Sequence, residues 1–457
     1  MSFASGTYLI FLPAVTAVYW LCPGKYRYIL LLLASCLFYM GWSVPLTLLL
    51  LAVSLISWGA CLLLERRKNP VLMGLLLAVI FLPLLLFKYA RFFASGSSAL
   101  FGWPGSGTLN ALSRLVLPVG ISFYTFQAVS CVIDVYRGGR SAERNFLKFA
   151  LFVSFFPQLV AGPIERADDL MPQLTAVRAF QKADLRAGAK LLLCGFFRKI
   201  CVADFIAPYV DRLFSLKTPD GFAALMGAVL FGVQIYNDFA GYSEIAMGSA
   251  RLLGIRLTRN FREPYLAADL RDFWRRWHIT LDRWFRSYVY IPLGGRHRRF
   301  LASGAVFLLS GLWHGADWTY VCWGIYHGLL YGLATLMPQK RLPKWAGTAL
   351  TFTMVTLGWI FFRAADIAEA FSLYGSLFSP WHFSAVWREA GMSLPVLIHL
   401  AVVVGASFLT CRWAFTDRDG STDRDRALYV LLVLSIALCW LGDLQSGAAN
   451  AFIYFQF

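Results

Sequence analysis

Long apolar segments recur along the whole chain, and short connections between them carry most of the charge. A bilayer is crossed by about 20 consecutive apolar residues in a helix, and most of these segments approach that length. The pattern predicts helices over 7–22, 29–43, 46–64, 71–88, 115–134, 187–214, 222–255, 347–363, 394–411 and 427–443. The fold class is therefore an all-α polytopic membrane protein, because a soluble fold would need amphipathic helices to cover its surface.

One apolar segment, 146–163, is interrupted by Pro157 and closed by Gly162-Pro163, and charged residues flank both ends. These features predict a re-entrant hairpin on the cytoplasmic side. Irregular backbone at membrane depth must be buried in protein or line a hydrated cavity, so the hairpin implies a central cavity. Polar residues of the 222–255 helix should line the same cavity; they are Gln234, Asn237, Asp238, Tyr242, Ser243 and Glu244.

Residues 272–288 show a helical period that gathers aromatic residues on one face and places Arg275 and Arg276 away from it. The pattern predicts one amphipathic helix at the membrane interface. His278 lies on the apolar face, where leucine would pack better. Two roles are equally compatible with this position: a structural histidine and a second residue of the functional site.

His314 lies in the sequence Gly311-Leu312-Trp313-His314-Gly315, within an apolar run that starts at Ala302 and continues past Tyr320. A polar group at membrane depth needs a partner or water, so His314 is either a helix-packing histidine or a functional residue. It is the first candidate for catalysis. His327 would lie about 20 Å away along one continuous helix and is assigned a mainly structural role. Without a third ligand nearby, the histidines predict no metal site.

The net charge of +17 comes from Lys and Arg residues that fall mainly between the apolar segments. This distribution indicates membrane topology rather than nucleic-acid binding, and it predicts an N-terminus outside the cytoplasm. Basic residues at a cytoplasmic mouth would also attract a polyanionic donor such as coenzyme A. The nine cysteines lie mostly in apolar segments and show no metal-ligand spacing.

We predict a single membrane domain, 1–457, with N-terminal spans in 1–112, a core with the site in 113–337, C-terminal spans in 338–445 and an aromatic tail in 446–457. The tail ends in Phe452-Ile453-Tyr454-Phe455-Gln456-Phe457. Such a terminus either anchors at the lipid headgroups or inserts into the protein and presents Tyr454 to a site.

Six blocks of residues resemble the membrane-bound O-acyltransferases, in particular the bacterial branch with the membrane subunit of alginate O-acetylation. In chain order they are 117–127, 156–163, 236–243, 273–278, 290–295 and 311–315. The likeness extends from about residue 3 to residue 363 and is weaker over 364–445.

The resemblance implies a ring of about 10–12 transmembrane and re-entrant helices around a central tunnel. His314 corresponds to the catalytic base and His278 to a second polar residue on the tunnel. We expect the substrate-binding residues to be Trp313, Asn237, Asp238, Tyr242 and Gln158, with Arg275 and Arg276 as candidates for the donor phosphates or for lipid headgroups. The expected donor is acetyl-coenzyme A, with no bound cofactor and no metal.

The tail resembles the aromatic C-terminal hexapeptide of envelope-acylating systems, in which the tyrosine is proposed to carry the acyl group; here that residue is Tyr454. The chemistry agrees, because an imidazole suits a general base near neutral pH and a phenyl ester is a better acyl donor than an alkyl ester. The resemblance also implies a bacterial inner-membrane location, a polysaccharide acceptor outside, and a separate extracytoplasmic partner with a serine-esterase-like (SGNH) fold.

The sequence thus predicts a membrane O-acetyltransferase that modifies an extracytoplasmic polysaccharide. Two alternatives stay open. One is transfer of D-alanyl or longer acyl groups, which differs in the donor. The other is a polytopic transporter or flippase with a histidine proton relay, against which the absence of inverted halves in the sequence argues.

Overall fold

Helices make up the regular structure of the part of the chain that can be described. The computed structural model describes residues 1–90, 92, 117–336, 342–415, 423–446 and 452–453, and no strand occurs within these ranges. The first α-helices are α1 Gly6–Leu21, α2 Arg27–Met40, α3 Val44–Arg66, α4 Pro70–Leu84, α5 Ile121–Tyr136, α6 Phe146–Ser154, α7 Phe156–Leu159, α8 Ala167–Thr175, α9 Lys182–Phe196 and α10 Phe205–Phe214. The next are α11 Gly221–Leu252, α12 Leu270–Trp274, α13 Ile279–Phe285, α14 Arg299–His314, α15 Trp318–Leu336, α16 Lys344–Arg363, α17 Ile367–Ser376, α18 Phe383–Arg388, α19 Leu394–Ala414 and α20 Asp423–Ser446.

Five of the described helices are long and apolar enough to cross a membrane by length and composition. They are Val44–Arg66, Pro70–Tyr89, Gly221–Leu252, Lys344–Arg363 and Leu394–Ala414. The predicted span 29–43 forms α2, whose 14 residues at about 1.5 Å per residue do not reach across a ~30 Å hydrocarbon core. The all-α polytopic class is confirmed, whereas the ring around a tunnel stays a prediction.

Several helix starts follow directly from the sequence. Ser5 caps α1 by accepting a hydrogen bond from the Tyr8 N–H, and the Asn69 side chain accepts from the first N–H groups of α4. Asn145 caps α6 in the same way. These side chains satisfy amides that have no partner inside the helix, so each fixes the residue at which the helix begins.

The first of two compact units contains residues 1–189 and 245–258. Within it α3 packs along α5, and α2 packs against α6. The Tyr8 and Ser249 hydroxyls are 2.6 Å apart and join α1 to the last turns of α11. Segment 146–163 forms the two short helices α6 and α7, separated at Phe155; α7 and residues 149–154 of α6 are buried. The predicted break is confirmed, while the side from which this segment enters the membrane stays a prediction.

The second unit contains residues 190–244 and 259–457. Its interior is rich in aromatic rings, and Tyr265 links two helices there: the Tyr265 hydroxyl donates to the Gly232 carbonyl of α11 at 2.6 Å and accepts from the Trp359 indole of α16 at 3.1 Å. α14 packs antiparallel to α15, because Gly311 lies against Tyr320 while Gly324 lies against Phe307.

Two helices predicted as continuous are broken in the structure. The prediction of one helix over 272–288 is wrong: α12 ends at Trp274 and α13 begins at Ile279, because the Ile279 N–H donates to the Asn260 carbonyl at 2.9 Å instead of to a preceding turn. The run from Ala302 past Tyr320 is also divided, since α14 ends at His314 and α15 begins at Trp318. The predicted separation of about 20 Å between His314 and His327 is wrong as well, because their rings lie 5.4 Å and 4.9 Å from the same Trp323 ring.

Candidate active site

His278 and His314 meet inside the second unit. Their ring centroids are 6.5 Å apart, and only 2% and 4% of their respective surfaces are exposed. The Trp313 indole contacts both rings, at 5.7 Å from His278 and 5.0 Å from His314. This distance could not be predicted from the sequence, because 36 positions separate the two histidines along the chain. Two imidazoles this close can act on the same reacting group.

The two glycines around His314 explain how it reaches this place. A Cβ atom on Gly311 would lie 2.2 Å from the Tyr320 carbonyl oxygen, and one on Gly315 would lie 2.0 Å from the Tyr320 ring. Only glycine therefore lets the end of α14 press against the start of α15. His314 is the last residue of α14 and is held at this close contact between the helices.

Aromatic side chains enclose His314. Its ring lies 5.4 Å from the Trp323 indole and 5.2 Å from the Phe362 ring, in both cases edge to face. Beyond Trp323 lies His327, whose ring is 4.9 Å from the same indole. His327 is buried, and neither of its ring nitrogens has a hydrogen-bond partner among the described residues. Such walls exclude water. An acyl-transfer site needs this exclusion, because water would hydrolyse the donor.

His278 has an unusual backbone conformation. It precedes α13 with φ 45° and ψ 54°, in the left-handed region that side chains other than glycine rarely adopt. Residues held in this region often mark functional sites, because the surrounding structure must stabilise the strained conformation. The stabilising residue here is Asn260, which is completely buried.

Asn260 fixes the orientation of the His278 ring. Its Oδ1 atom accepts from the Thr280 N–H at 3.3 Å and from the Thr280 hydroxyl at 3.0 Å, and it lies 3.1 Å from His278 Nδ1. A main-chain N–H can only donate, so the Asn260 atom facing it is the oxygen. The proton of the neutral imidazole therefore sits on Nδ1, and Nε2 carries the lone pair that can accept a proton. Nothing in the sequence singles out Asn260, because it lies between Arg259 and Phe261 in a charged connection where asparagine is usually exposed.

Asn237 and Asp238 belong to a buried network of hydrogen bonds and ion pairs. Asn237 Oδ1 accepts from Arg198 Nη1 at 3.1 Å, and Asp238 Oδ1 accepts from Lys199 Nζ at 2.7 Å. Arg198 also pairs with Glu244, with Nε 3.1 Å from Oε2. Arg198 and Lys199 were missed by the sequence analysis, although two adjacent basic residues inside an apolar stretch signal a buried charge with partners.

Tyr242 lies beside the C-terminal tail. The Phe452 ring is 4.2 Å from the Tyr242 ring and 5.7 Å from the Phe239 ring, and Phe452 is fully buried. The Ile453 N–H donates to Asp238 Oδ2 at 2.9 Å. Phe239 in turn lies 4.7 Å from the His278 ring. Phe452 and Ile453 are thus inserted into the unit that holds the two histidines, and Tyr454 lies outside the described residues.

The remaining predicted site residues have separate surroundings. Arg276 is paired with Asp272, with Nη2 2.8 Å from Oδ2, and Arg275 is exposed. Gln158 belongs to the first unit, where its side-chain amide donates to the Phe152 carbonyl at 2.9 Å. The binding roles assigned to these three residues stay predictions.

Known proteins resemble this chain, in one case along its full length. Residues 139–340 match the family model described as MBOAT, membrane-bound O-acyltransferase family. The probable alginate O-acetylase AlgI of Pseudomonas putida is 35% identical over 490 residues, which cover 100% of this chain and 100% of that protein. A peptidoglycan O-acetyltransferase of Helicobacter pylori is 34% identical over 74% of this chain and 71% of its own length. A teichoic acid D-alanyltransferase of Streptococcus thermophilus is 28% identical over 56% of this chain and 70% of its own length.

Proposed function

This chain belongs to the membrane-bound O-acyltransferase family, and on that premise we propose that it transfers an acetyl group from cytoplasmic acetyl-coenzyme A to a polysaccharide outside the cytoplasm. The observation that carries the proposal is the pair of buried imidazoles 6.5 Å apart within aromatic walls. Their neighbourhood combines a proton acceptor with an environment poor in water, and acyl transfer to a hydroxyl requires both.

In this proposal His314 is the general base. It takes the proton of the attacking hydroxyl as that oxygen bonds to the acetyl carbonyl carbon. The carbon–sulfur bond of the thioester then breaks, and the His314 imidazolium returns the proton to the departing thiolate of coenzyme A. His278 faces the other side of the reacting group, with its Nδ1 proton engaged by Asn260. From there it orients the acceptor hydroxyl or the acyl group.

Tyr454 is the proposed intermediate acyl carrier. In the first step its phenol oxygen attacks acetyl-coenzyme A, His314 takes the phenol proton, and coenzyme A leaves as the thiol. In the second step a hydroxyl of the extracytoplasmic partner attacks the phenyl ester, and Tyr454 leaves as the free phenol. Burial of Phe452 and the bond from the Ile453 N–H to Asp238 support this role, because they place the two preceding residues inside the unit that holds the histidines. A tail that served only as a headgroup anchor would leave these residues at the protein surface.

The donor and the acceptor lie on opposite sides of the inner membrane in this proposal. Arg275, which is exposed, and Arg276 contact the phosphates of the donor, in competition with lipid headgroups. A separate extracytoplasmic protein with a serine-esterase-like fold passes the acetyl group from the membrane protein to the polymer. Trp313 and Tyr242 line the site, and no cofactor is bound.

Transfer of D-alanine is the second candidate, and the similarity to a teichoic acid D-alanyltransferase favours considering it. That similarity covers 56% of this chain at 28% identity, whereas the similarity to the alginate O-acetylase covers all of it at 35%. Acetyl is therefore the preferred group. Incubation of the purified protein with radiolabelled acetyl-coenzyme A and, separately, with a labelled D-alanyl thioester distinguishes the two by which label is consumed.

A test in cells separates the enzyme from a transporter. Cells that carry His314→Ala should still export the polymer, but the polymer should lack acetyl esters when it is hydrolysed and assayed. His297→Ala is a suitable control, because His297 lies in the basic connection that precedes α14. Loss of polymer export together with the esters would contradict the proposal and indicate a transporter.

A further inference from the structure

The last described residues of the chain are held by a main-chain hydrogen bond. The Ile453 N–H donates to Asp238 Oδ2 at 2.9 Å, across 215 positions of sequence, and this bond is buried. A bond to the main chain fixes the position of the backbone whatever the side chain is. It therefore fixes the backbone of the tail at residue 453, the last residue that the structure describes.

The two carboxylate oxygens of Asp238 have different partners. Oδ1 accepts from Lys199 Nζ at 2.7 Å, and Oδ2 accepts from the Ile453 N–H. Lys199 also donates to Asp204 Oδ1 at 2.8 Å, so one ammonium group lies between two carboxylates. These three side chains together carry one excess negative charge. A backbone N–H has a positive hydrogen, and a charged acceptor bonds it more strongly than a neutral one.

An aromatic contact supports the same segment. The Phe452 ring lies 4.2 Å from the Tyr242 ring, and Lys199 Nζ lies 5.6 Å from the centre of that Tyr242 ring. Tyr242 is one turn of α11 beyond Asp238, so both contacts to the tail come from one face of one helix. The Asp238 carboxylate and the Tyr242 ring together hold residues 452 and 453. We call these two side chains the seat of the tail.

We infer that Asp238 is the positioning residue for the C-terminal tail, and that Lys199 and Asp204 hold its carboxylate in place for this purpose. Asp238 then acts through the tail and does not touch the acyl group. This inference deepens the proposed role of Tyr454 as acyl carrier and changes the assignment of Asp238, which the sequence analysis placed among substrate-binding residues. Phe239 connects the seat to the site, because it contacts both Phe452 and His278.

Accessibility of position 453 tests the seat without any acyl donor. Ile453 is 5% exposed, so a cysteine placed there by Ile453→Cys should react slowly with a maleimide, and peptide mass spectrometry distinguishes it from the native cysteines. Adding Asp238→Asn should raise the labelling rate about tenfold or more, because one amide oxygen cannot replace two carboxylate oxygens for both donors. Glu244→Gln is the matched control: it lies on the same helix and pairs with Arg198 instead of the tail. Equal labelling rates in the Asp238→Asn and Glu244→Gln backgrounds would overturn the inference.

A second pair of variants leaves Asp238 and its partners intact. Ile453→Pro removes the N–H donor, whereas Ile453→Ala keeps it and shortens only the side chain. In a single-turnover reaction with labelled acetyl-coenzyme A, Ile453→Pro should slow acetylation of the tail about tenfold more than Ile453→Ala, with no change in donor affinity. Equal rates for both variants would overturn the inference. If the wild-type tail takes no label at all, the carrier role of Tyr454 fails, and the maleimide experiment still decides whether Asp238 holds the tail.

Discussion

His278 Nδ1 lies 3.1 Å from Asn260 Oδ1, an oxygen that also accepts two hydrogen bonds from Thr280. This relationship holds a histidine in a left-handed backbone conformation and decides which of its nitrogens carries the proton. It also connects the loop before α12 to the start of α13. The orientation of the His278 ring therefore depends on Asn260 and Thr280 as well as on His278 itself.

Replacing Asn260 should impair catalysis more than donor binding. In Asn260→Ala the ring loses its fixed tautomer and orientation, and we expect kcat to fall about 100-fold while KM for acetyl-coenzyme A changes little. Asn260→Asp keeps an acceptor oxygen opposite Nδ1 and should retain most of the activity. Thr280→Val removes one donor to the same oxygen but leaves the histidine bond, so it controls for loss of stability. Wild-type kcat in Asn260→Ala would show that this hydrogen bond has no catalytic role.

The close contact between α14 and α15 should not tolerate a methyl group. In Gly311→Ala the new Cβ would lie 2.2 Å from the Tyr320 carbonyl oxygen, so the helices must separate. We expect a loss of about 1–3 kcal/mol in stability, with a fall in turnover because His314 lies three residues further on. Thermal unfolding in detergent and an acetyl-coenzyme A turnover assay measure the two effects.

Gly304→Ala provides the control for this prediction. Gly304 lies on the same helix, and a Cβ there meets no atom within 4 Å. Alanine has the higher helix propensity, so this variant should be as stable as wild type or slightly more stable. Equal losses in the two variants would indicate that α14 is sensitive to any change and that the contact with Tyr320 is not special.

Replacing only one member of the buried Arg198–Glu244 pair should lower the stability of the protein strongly. Both side chains are nearly inaccessible, and Arg198→Met leaves the Glu244 carboxylate without its guanidinium partner. We expect a loss of about 3–5 kcal/mol in stability, and a smaller loss in the double variant Arg198→Met, Glu244→Gln, which removes both charges. The midpoint of thermal unfolding measures each.

A surface pair serves for comparison. Arg363 lies 2.7 Å from Asp211, whose side chain is 63% exposed, and Arg363→Met should cost no more than about 1 kcal/mol. If Arg198→Met and Arg363→Met lower the unfolding midpoint equally, the buried network does not stabilise the second unit in the way its geometry indicates.

The sequence predicted the helical class, the positions of most long helices and the two histidines. It did so because apolar length is a local property, and a histidine in an apolar run stands out against its neighbours. The sequence could not show that residues 272–288 are broken at His278. The break depends on Asn260, whose carbonyl accepts the hydrogen bond of the Ile279 N–H although it lies outside this segment of the sequence.

The partners of the buried charges could not be predicted from the sequence either. Arg198 and Lys199 have partners on α11 about 40 positions away, and nothing in a single sequence pairs them with Asn237 and Asp238. The insertion of the tail was one of two interpretations of its aromatic residues. The structure supports insertion for Phe452 and Ile453, through contacts that only the folded chain brings together.

The most direct test of the account is the mass of the purified full-length protein after incubation with acetyl-coenzyme A, followed by peptide mapping. With His314 as base and Tyr454 as carrier, the C-terminal peptide of the wild type should gain one acetyl group, and that peptide should gain none in His314→Ala or Tyr454→Phe. Wild-type protein that turns over the donor when an acceptor is supplied, yet never carries an acetyl group on the tail, would contradict the carrier role of Tyr454. Absence of any donor consumption would contradict the enzyme assignment itself.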